Sequence, residues 1–392
     1  MKKFFFLLIL ISATVPNALE AQTVVQQLAQ NKHIKVTLRY DLNRTVDGNY
    51  KGLFYGYALS NWTLKMTPEG GWSVIADNLA TPESRTDPLF QEKAVLQSWG
   101  STFSIDKDGK WSKIHGDPVP PYQDFPPAIP TGISTGDTWE TSGFVFVGPP
   151  DGHSSVRIPF LAQLKYLGPV EWFGQKVLAV SARYALRYHK EAQGLVSAEG
   201  TRDDVIYYDT ESGLPLFLRE NVTQQFEYLP QKTVTENGFI LCFYEGFLPM
   251  NRLATAENLT KDLQKAQIRD VDISPSNQGV RLTLNNLLFV ADRAVLLPGE
   301  ELRLSQIAQA LNAIPDRDFQ VIGYTADVGS QESQVKLSVE RALAIVKALE
   351  EHGVSPRRLF YEGRGGKDPV ATNATEAGRS LNRRVEILIR ND

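Results

Sequence analysis

Apolar residues recur along the chain with two different periods, and the change falls near residue 250. In the first stretch they alternate. Val156, Ile158, Phe160, Ala162, Leu164 and Tyr166 share one parity, and so do Leu178, Val180, Ala182, Tyr184, Leu186 and Tyr188, with Ser181, Arg183 and Arg187 opposite them. Ile34, Val36 and Leu38 alternate in the same way with Lys35, Thr37 and Arg39. A period of two is that of a strand with one buried face. Turn-forming residues punctuate the pattern at Asp47-Gly48, Glu69-Gly70-Gly71, Asp108-Gly109, Asp151-Gly152, Glu199-Gly200 and Ser212-Gly213. Residues 22–248 are therefore expected to form a mostly antiparallel β domain, a sandwich or an open barrel. Pro118, Pro120, Pro121, Pro126, Pro127 and Pro130 interrupt it. Proline lacks the ladder donor and fixes φ, so this segment reads as an extended surface strap.

Residues 249–278 read as a linker. Leu259, Leu263 and Ala266 stand at helical spacing and predict a short helix, which Ser274-Pro275-Ser276-Asn277-Gln278-Gly279 separates from the last domain. Residues 279–392 then alternate strands with helices. Arg281–Leu288 has strand alternation. Glu300–Ala313 places Leu304, Ile307, Ala308 and Leu311 on one face, after Pro298-Gly299 and before Pro315. Phe319–Tyr324 is a short strand. Val335–Glu351 turns Val339, Ala342, Leu343, Val346 and Leu349 inward, and Gly353 suits the left-handed position after its end. Arg358–Glu362 and Arg384–Ile389 complete the series. The order β-α-β-α-β-β predicts a small α/β domain with its helices on one face of a sheet.

The N-terminus adds a third pattern. Met1-Lys2-Lys3 is basic, Phe4–Ile11 is apolar, and Ser12–Ala21 is richer in small and polar residues, which is the layout of a secretory signal peptide over residues 1–21. The apolar run is shorter than the roughly 20 residues a membrane-spanning helix needs. Export is expected on this ground, to the periplasm or to an outer-membrane or cell-wall association. The single cysteine, Cys242, sits in the apolar run Phe239–Tyr244 and reads as a small core residue. A net charge of -4 over 392 residues gives no basic bias, so a dedicated nucleic-acid binder is not expected.

The last domain carries six motifs in order: Phe289-Val290-Ala291-Asp292-Arg293-Ala294-Val295-Leu296; Gly323-Tyr324-Thr325-Ala326-Asp327-Val328-Gly329; Leu337-Ser338-Val339-Glu340-Arg341-Ala342; Gly363-Arg364-Gly365; Asp368-Pro369-Val370; and the closing run from Asn373-Ala374-Thr375 through Gly378-Arg379 to Asn382-Arg383-Arg384-Val385-Glu386-Ile387. Together they resemble the OmpA-like family, the peptidoglycan-associating C-terminal domains of OmpA and MotB, over about residues 280–390. The pattern resembles that of a divergent, spirochaetal-type member of the family. The resemblance implies a domain that grips the peptide stem of peptidoglycan without catalysis. In the family a loop Asp and a helix Arg take the ammonium and the carboxylate of the stem's diaminopimelate. The chemistry suits a zwitterion, since a guanidinium forks onto a carboxylate and a carboxylate accepts from an ammonium. Each such charged bond contributes on the order of 1.5–3 kcal/mol.

Carried over residue by residue, the helix Arg is Arg341, and the loop Asp position holds Ala326. Asp327 is adjacent, but neighbouring side chains of an extended loop point apart. The candidate site is thus Arg341 with Tyr324, Thr325, Ala326 and Asp327, supported by Gly323, Gly329, Leu337, Ser338, Asn382, Arg383 and Arg384. Arg383 and Arg384 read as structural residues of the last turn, and Asn382 as a side chain that bonds a loop backbone. Ala326 leaves two readings: a domain that has lost the ligand and kept the fold as a docking module, or one that takes a stem whose third residue is not diaminopimelate.

Other classes find little support. His33, His115, His153, His189 and His352 are dispersed and make no metal spacing, and no nucleophile elbow or phosphate loop occurs. Asp203-Asp204 reads as a solvated pair before a strand. No enzyme, cofactor or metal is expected. The expectation is a non-catalytic envelope protein with peptidoglycan as partner and a β domain whose own partner is unnamed. The alternatives are an envelope scaffold, or an outer-membrane barrel with a periplasmic anchor; Pro159 within a strand and the uneven strand lengths weigh against the barrel in a membrane.

Overall fold

The computed structural model describes residues 33–390, apart from 88–91, 107–108, 149–154, 212, 247–249, 286–288, 290–292 and 315–316. The expected signal peptide and the turn residues Asp108, Asp151, Gly152 and Ser212 lie outside the described residues.

The alternating first stretch folds into long strands: β1 (His33–Val46), β2 (Asn49–Met66), β3 (Trp72–Ala80), β4 (Lys93–Ala94), β5 (Gln97–Ile105), β6 (Trp111–His115), β7 (Tyr122–Gln123), β8 (Thr138–Val147), β9 (Val156–Trp172), β10 (Gln175–Tyr188), β11 (Leu195–Asp209), β12 (Pro215–Tyr228) and β13 (Lys232–Gly246). All except β4 join one twelve-stranded antiparallel sheet in the order β6-β5-β3-β2-β1-β13-β12-β11-β10-β9-β8-β7. The sheet curls into a nearly closed barrel, the open-barrel form of the expected β domain. Its two edges are bridged by side chains rather than by a strand ladder: Gln123 Nε2 donates to the Trp111 carbonyl at 3.1 Å, and the Trp111 amide donates to Asp124 Oδ1 at 2.7 Å.

Parity decides which side chains enter the barrel. From Val156 to Tyr166 every second residue is buried, and the residues between them face out. In β10 a bulge between Ala179 and Val180 shifts the parity. Val177 and Ala179 therefore turn inward and Leu178, expected inside, is only half-buried. Glu199-Gly200, expected as a turn, lies inside β11 opposite Gln225 and Gln224. A Cβ on Gly200 would stand 2.4 Å from the Thr223 carbonyl oxygen, so this glycine serves a close approach of strands.

The proline-rich strap is also corrected. Instead of lying on the surface, it enters the barrel, with Val119, Tyr122 and Phe125 fully inside. Phe125 meets Phe160 and Tyr184 edge-on at centroid distances of 5.4 and 5.6 Å, and Trp62 Nε1 donates to the Val119 carbonyl at 3.2 Å. Proline has no N–H to leave unsatisfied, which suits a buried backbone that joins the ladder only at β7.

The second period gives α1 (Arg252–Lys265), β14 (Val271–Ser276), β15 (Gly279–Leu284), α2 (Glu300–Asn312), β16 (Phe319–Gly323), α3 (Gln331–Glu351), β17 (Leu359–Gly363), α4 (Glu376–Asn382) and β18 (Val385–Arg390). The sheet order is β14-β15-β18-β16-β17-β4. Leu304, Ile307 and Leu311 of α2 and Ala342, Val346 and Leu349 of α3 share one core with Val321, Leu359 and Ile387 of the sheet. Gly353 takes its left-handed place with φ 89°. Residues 249–278 do more than link. Ala256, Leu259 and Leu263 of α1 are buried in that same core, and β14 pairs with β15 as a hairpin turning at Asn277-Gln278. Three buried apolar residues on one helix face account for the docking.

The two sheets meet. The short β4, which leaves the barrel sequence between β3 and β5, pairs in parallel with β17. Phe360 packs with Tyr57, Leu59 and Leu79 of the barrel wall. Around them run Lys35 Nζ to Asp318 at 2.8 Å, Lys347 Nζ to Glu92 at 2.6 Å and Gln278 Nε2 to Asp77 at 3.1 Å.

Candidate functional site

The candidate loop follows β16, and α3 holds it. Gly323 brings β16 against the helix so closely that a Cβ there would stand 2.1 Å from the Ser338 carbonyl oxygen. Ser338, fully buried, accepts from the Gly365 amide at 2.9 Å and donates to the Val335 carbonyl at 2.7 Å. One turn earlier Gln334 spans both loops: Nε2 donates to Asp327 Oδ1 at 3.0 Å and to the Gly329 carbonyl at 3.1 Å, while Oε1 accepts from the Gly366 amide at 3.0 Å. Gly329, at φ 87°, ends the loop before Ser330, whose hydroxyl caps α3 by accepting from the Ser333 amide.

Arg341 sits on this same helix face, three residues after Ser338 and seven after Gln334. Its side chain is largely buried, and its guanidinium carbon lies 5.1 Å from the ring centroid of Phe289. The motif that opens the domain thus contributes at least one ring to the site; Val290, Ala291 and Asp292 of that motif lie outside the described residues.

The loop residues divide by direction. Thr325 donates its amide to the Gly365 carbonyl at 2.8 Å, and its hydroxyl is buried with no hydrogen-bond partner. Ala326 is 6% exposed, so the position that holds an acid in the family motif is an enclosed methyl here. Asp327 is exposed, and its carboxylate is taken by Gln334.

Tyr324, grouped with the site on sequence, points to the other face of the sheet. Its ring lies 3.8 Å below the guanidinium of Arg384, and its hydroxyl donates to Glu386 at 3.3 Å. Burial, and then the Glu386 charge, push its phenol up to about 12. Arg384 is buried against Glu386 at 2.8 Å and donates to the Asp368 carbonyl. Arg364 joins the cluster by donating to the Tyr324 hydroxyl at 3.4 Å, and it pairs with Glu362. These are scaffold contacts. Asn382 accepts from the amides of Val370 and Ala371, both at 2.9 Å, and donates to the Ala371 carbonyl. Arg383 pairs with Glu376 at 2.6 Å. Leu337 is half-buried on α3. Sequence reasoning passed over Gln334; its signal was a helix position seven residues before Arg341 on the same face.

Among the described residues no group of three or more His, Cys, Asp or Glu side chains could hold a metal.

Residues 288–383 match the profile of the OmpA family. The chain is 34% identical over 135 residues to the probable lipoprotein YiaD of Escherichia coli, a match covering 33% of this chain and 62% of that protein. It is 37% identical over 103 residues to the peptidoglycan-binding protein ArfA of Mycobacterium tuberculosis, covering 26% of this chain and 32% of that one. Among solved structures, the periplasmic domain of Helicobacter pylori MotB is 30% identical, with 32% of this chain and 81% of that chain covered and a TM-score of 0.30. The chain spans less than two thirds of the length of YiaD or ArfA. The α/β sheet and helices that carry Arg341 form a domain of the OmpA family.

Proposed function

We propose that the chain is a non-catalytic envelope protein whose OmpA family domain holds the peptide stem of peptidoglycan, with Arg341 as the residue that takes a stem carboxylate. The observation that carries this reading is the enclosed guanidinium of Arg341 on the helix face that grips the Thr325–Asp327 loop. The peptidoglycan-binding relative supports it. Thr325, whose buried hydroxyl lacks a partner, adds a donor or acceptor beside Ala326. With a methyl in place of the acid, the site keeps a partner for a stem carboxylate and offers none to an ammonium.

The barrel is read as a periplasmic module. Arg157, Gln163 and Lys165 of β9 and Arg219, Asn221 and Glu227 of β12 face outward. A charge facing lipid at mid-height costs about 2–4 kcal/mol. The wall at β1–β3 is moreover occupied by the second domain. These observations favour a barrel outside the membrane.

Purified sacculi of known stem composition test the proposal. The wild-type chain is expected to sediment with walls, and Arg341→Ala to stay in the supernatant. A wild-type protein that remains soluble with every wall would leave the second reading, a scaffold that docks another envelope protein; Ala326 is the observation in its favour.

A further inference from the structure

A second cluster of ionisable groups lies inside the barrel, and the wall-binding reading makes no use of it. Arg202 and Glu220 form an ion pair at 2.8 Å with side chains 4% and 0% exposed. Glu220 also accepts from the hydroxyls of Tyr184 and of Tyr122, the latter at 2.7 Å. Gln224 continues the path, accepting from Arg202 at 2.6 Å and donating to Glu236 at 2.9 Å; Arg44 then links Glu236 to the part-exposed Glu83.

Asp204 stands outside this path. It is 3% exposed, lies directly opposite Glu220 in the strand register, and neither carboxylate oxygen has a hydrogen-bond partner. Its own strand presents Arg202, the neighbouring Asp203 and, farther off, Tyr208. From β12 comes Glu220, from β10 Tyr184 and from the strap Tyr122. On the β10 side its direct register partner is the methyl of Ala182. One guanidinium, already spent on Glu220, faces two carboxylates. Neighbouring buried carboxyls do not both ionise.

We propose that the barrel interior is a proton-binding site: Asp204 folds as the neutral acid, and losing its proton loosens the barrel. Burial foremost, then the charge of Glu220, hold the Asp204 carboxyl well above the usual carboxylate range, with Arg202 acting against them. The folded state keeps a proton that the unfolded chain releases above about pH 4, so the folding constant falls about tenfold per pH unit until Asp204 ionises in the fold.

The six tryptophans all lie between residues 62 and 172, so their fluorescence reports the barrel. Urea unfolding of the full chain, followed this way from about pH 5 to about pH 8, compares wild type with Asp204→Asn. The ratio of wild-type to variant folding constants is expected to fall about tenfold per pH unit over the window where Asp204 stays protonated. The infrared carbonyl band of a protonated acid should appear in folded wild type at neutral pH and be missing from the variant. A flat ratio overturns the proposal. Should Asp204→Asn fail to fold, the wild-type spectrum decides: presence of the band supports the site and its absence overturns it.

Discussion

Lys93 and Phe360 are far apart in sequence, yet they are register partners in one sheet, and the Lys93 ammonium lies 4.9 Å from the Phe360 ring centroid. The same ammonium is 5.3 Å from the ring of Tyr57 and donates to the Arg357 carbonyl at 2.8 Å. The barrel therefore supplies the edge strand of the OmpA family domain and covers an edge that would otherwise present unpaired backbone groups.

The buried ammonium makes this seat sensitive to alkaline pH. Desolvation pulls Lys93 down to about 8, against about 10.4 in an unfolded chain. Below pH 8 both states carry the proton, and the burial penalty is fully present. Between about pH 8 and pH 10.4 the folded state gives up its proton first, so stability rises with pH, by on the order of 3 kcal/mol in all. Lys93→Met should abolish this rise. Urea midpoints of wild type and variant between about pH 7 and pH 10.5 check it: the two curves should converge or cross with rising pH rather than run parallel.

Inside the barrel, the two partners of the ion pair should respond unequally to removal. Breaking a buried pair costs about 3–5 kcal/mol because the remaining charge is stranded. Arg202→Met leaves Glu220 and Asp204 facing each other without a cation and should show the full loss. Glu220→Gln leaves Arg202 with Asp204 beside it as a substitute partner, so its loss should be smaller. Tryptophan-monitored unfolding of both variants at neutral pH gives the order; equal losses would mean that Asp204 does not reach Arg202.

Gly323 fixes how closely the candidate loop lies on α3. Gly323→Ala would push a methyl to 2.1 Å from the Ser338 carbonyl oxygen, a backbone atom that cannot turn away. The expected result is a loss of about 2 kcal/mol or more and weaker retention on sacculi, because the loop and Arg341 no longer keep their spacing. Thermal unfolding and the sedimentation assay, run on the same preparation, separate a stable but displaced loop from a domain that has unfolded.

Much of this architecture was legible in the sequence wherever one period ran uninterrupted. The inward row from Val156 to Tyr166 and the helix face of Leu304, Ile307 and Leu311 needed only parity and spacing. What was missed depends on contacts distant in sequence. The strap between Pro118 and Pro130 resembles any exposed proline-rich loop until Phe160 and Tyr184 form a space for Phe125. A two-residue strand such as β4 has no period at all. Asp203-Asp204 looked solvated as an adjacent pair before a strand; both lie within β11, where alternation turns Asp204 inside and leaves Asp203 part-exposed. Tyr324 sat in the right motif with the wrong parity: residues 324 and 325 of the loop face opposite ways, and the motif does not record which way is out.

Position 326 offers the most direct reading of the site. Ala326 is enclosed beside a hydroxyl that has no partner, on the loop that α3 grips two turns before Arg341. Ala326→Asp should restore the acid of the family motif, and with it a partner for an ammonium on the ligand. Retention on diaminopimelate walls is then expected to rise by about 1.5–3 kcal/mol, roughly ten- to hundredfold. Retention on walls lacking that ammonium should stay level or fall, since the new carboxylate competes for Arg341. Arg341→Lys should weaken retention on both walls, because a point ammonium replaces the planar fork. Sedimentation of the variants against the two wall types measures all three effects. If Ala326→Asp leaves both retentions unchanged, the loop and Arg341 do not share a ligand.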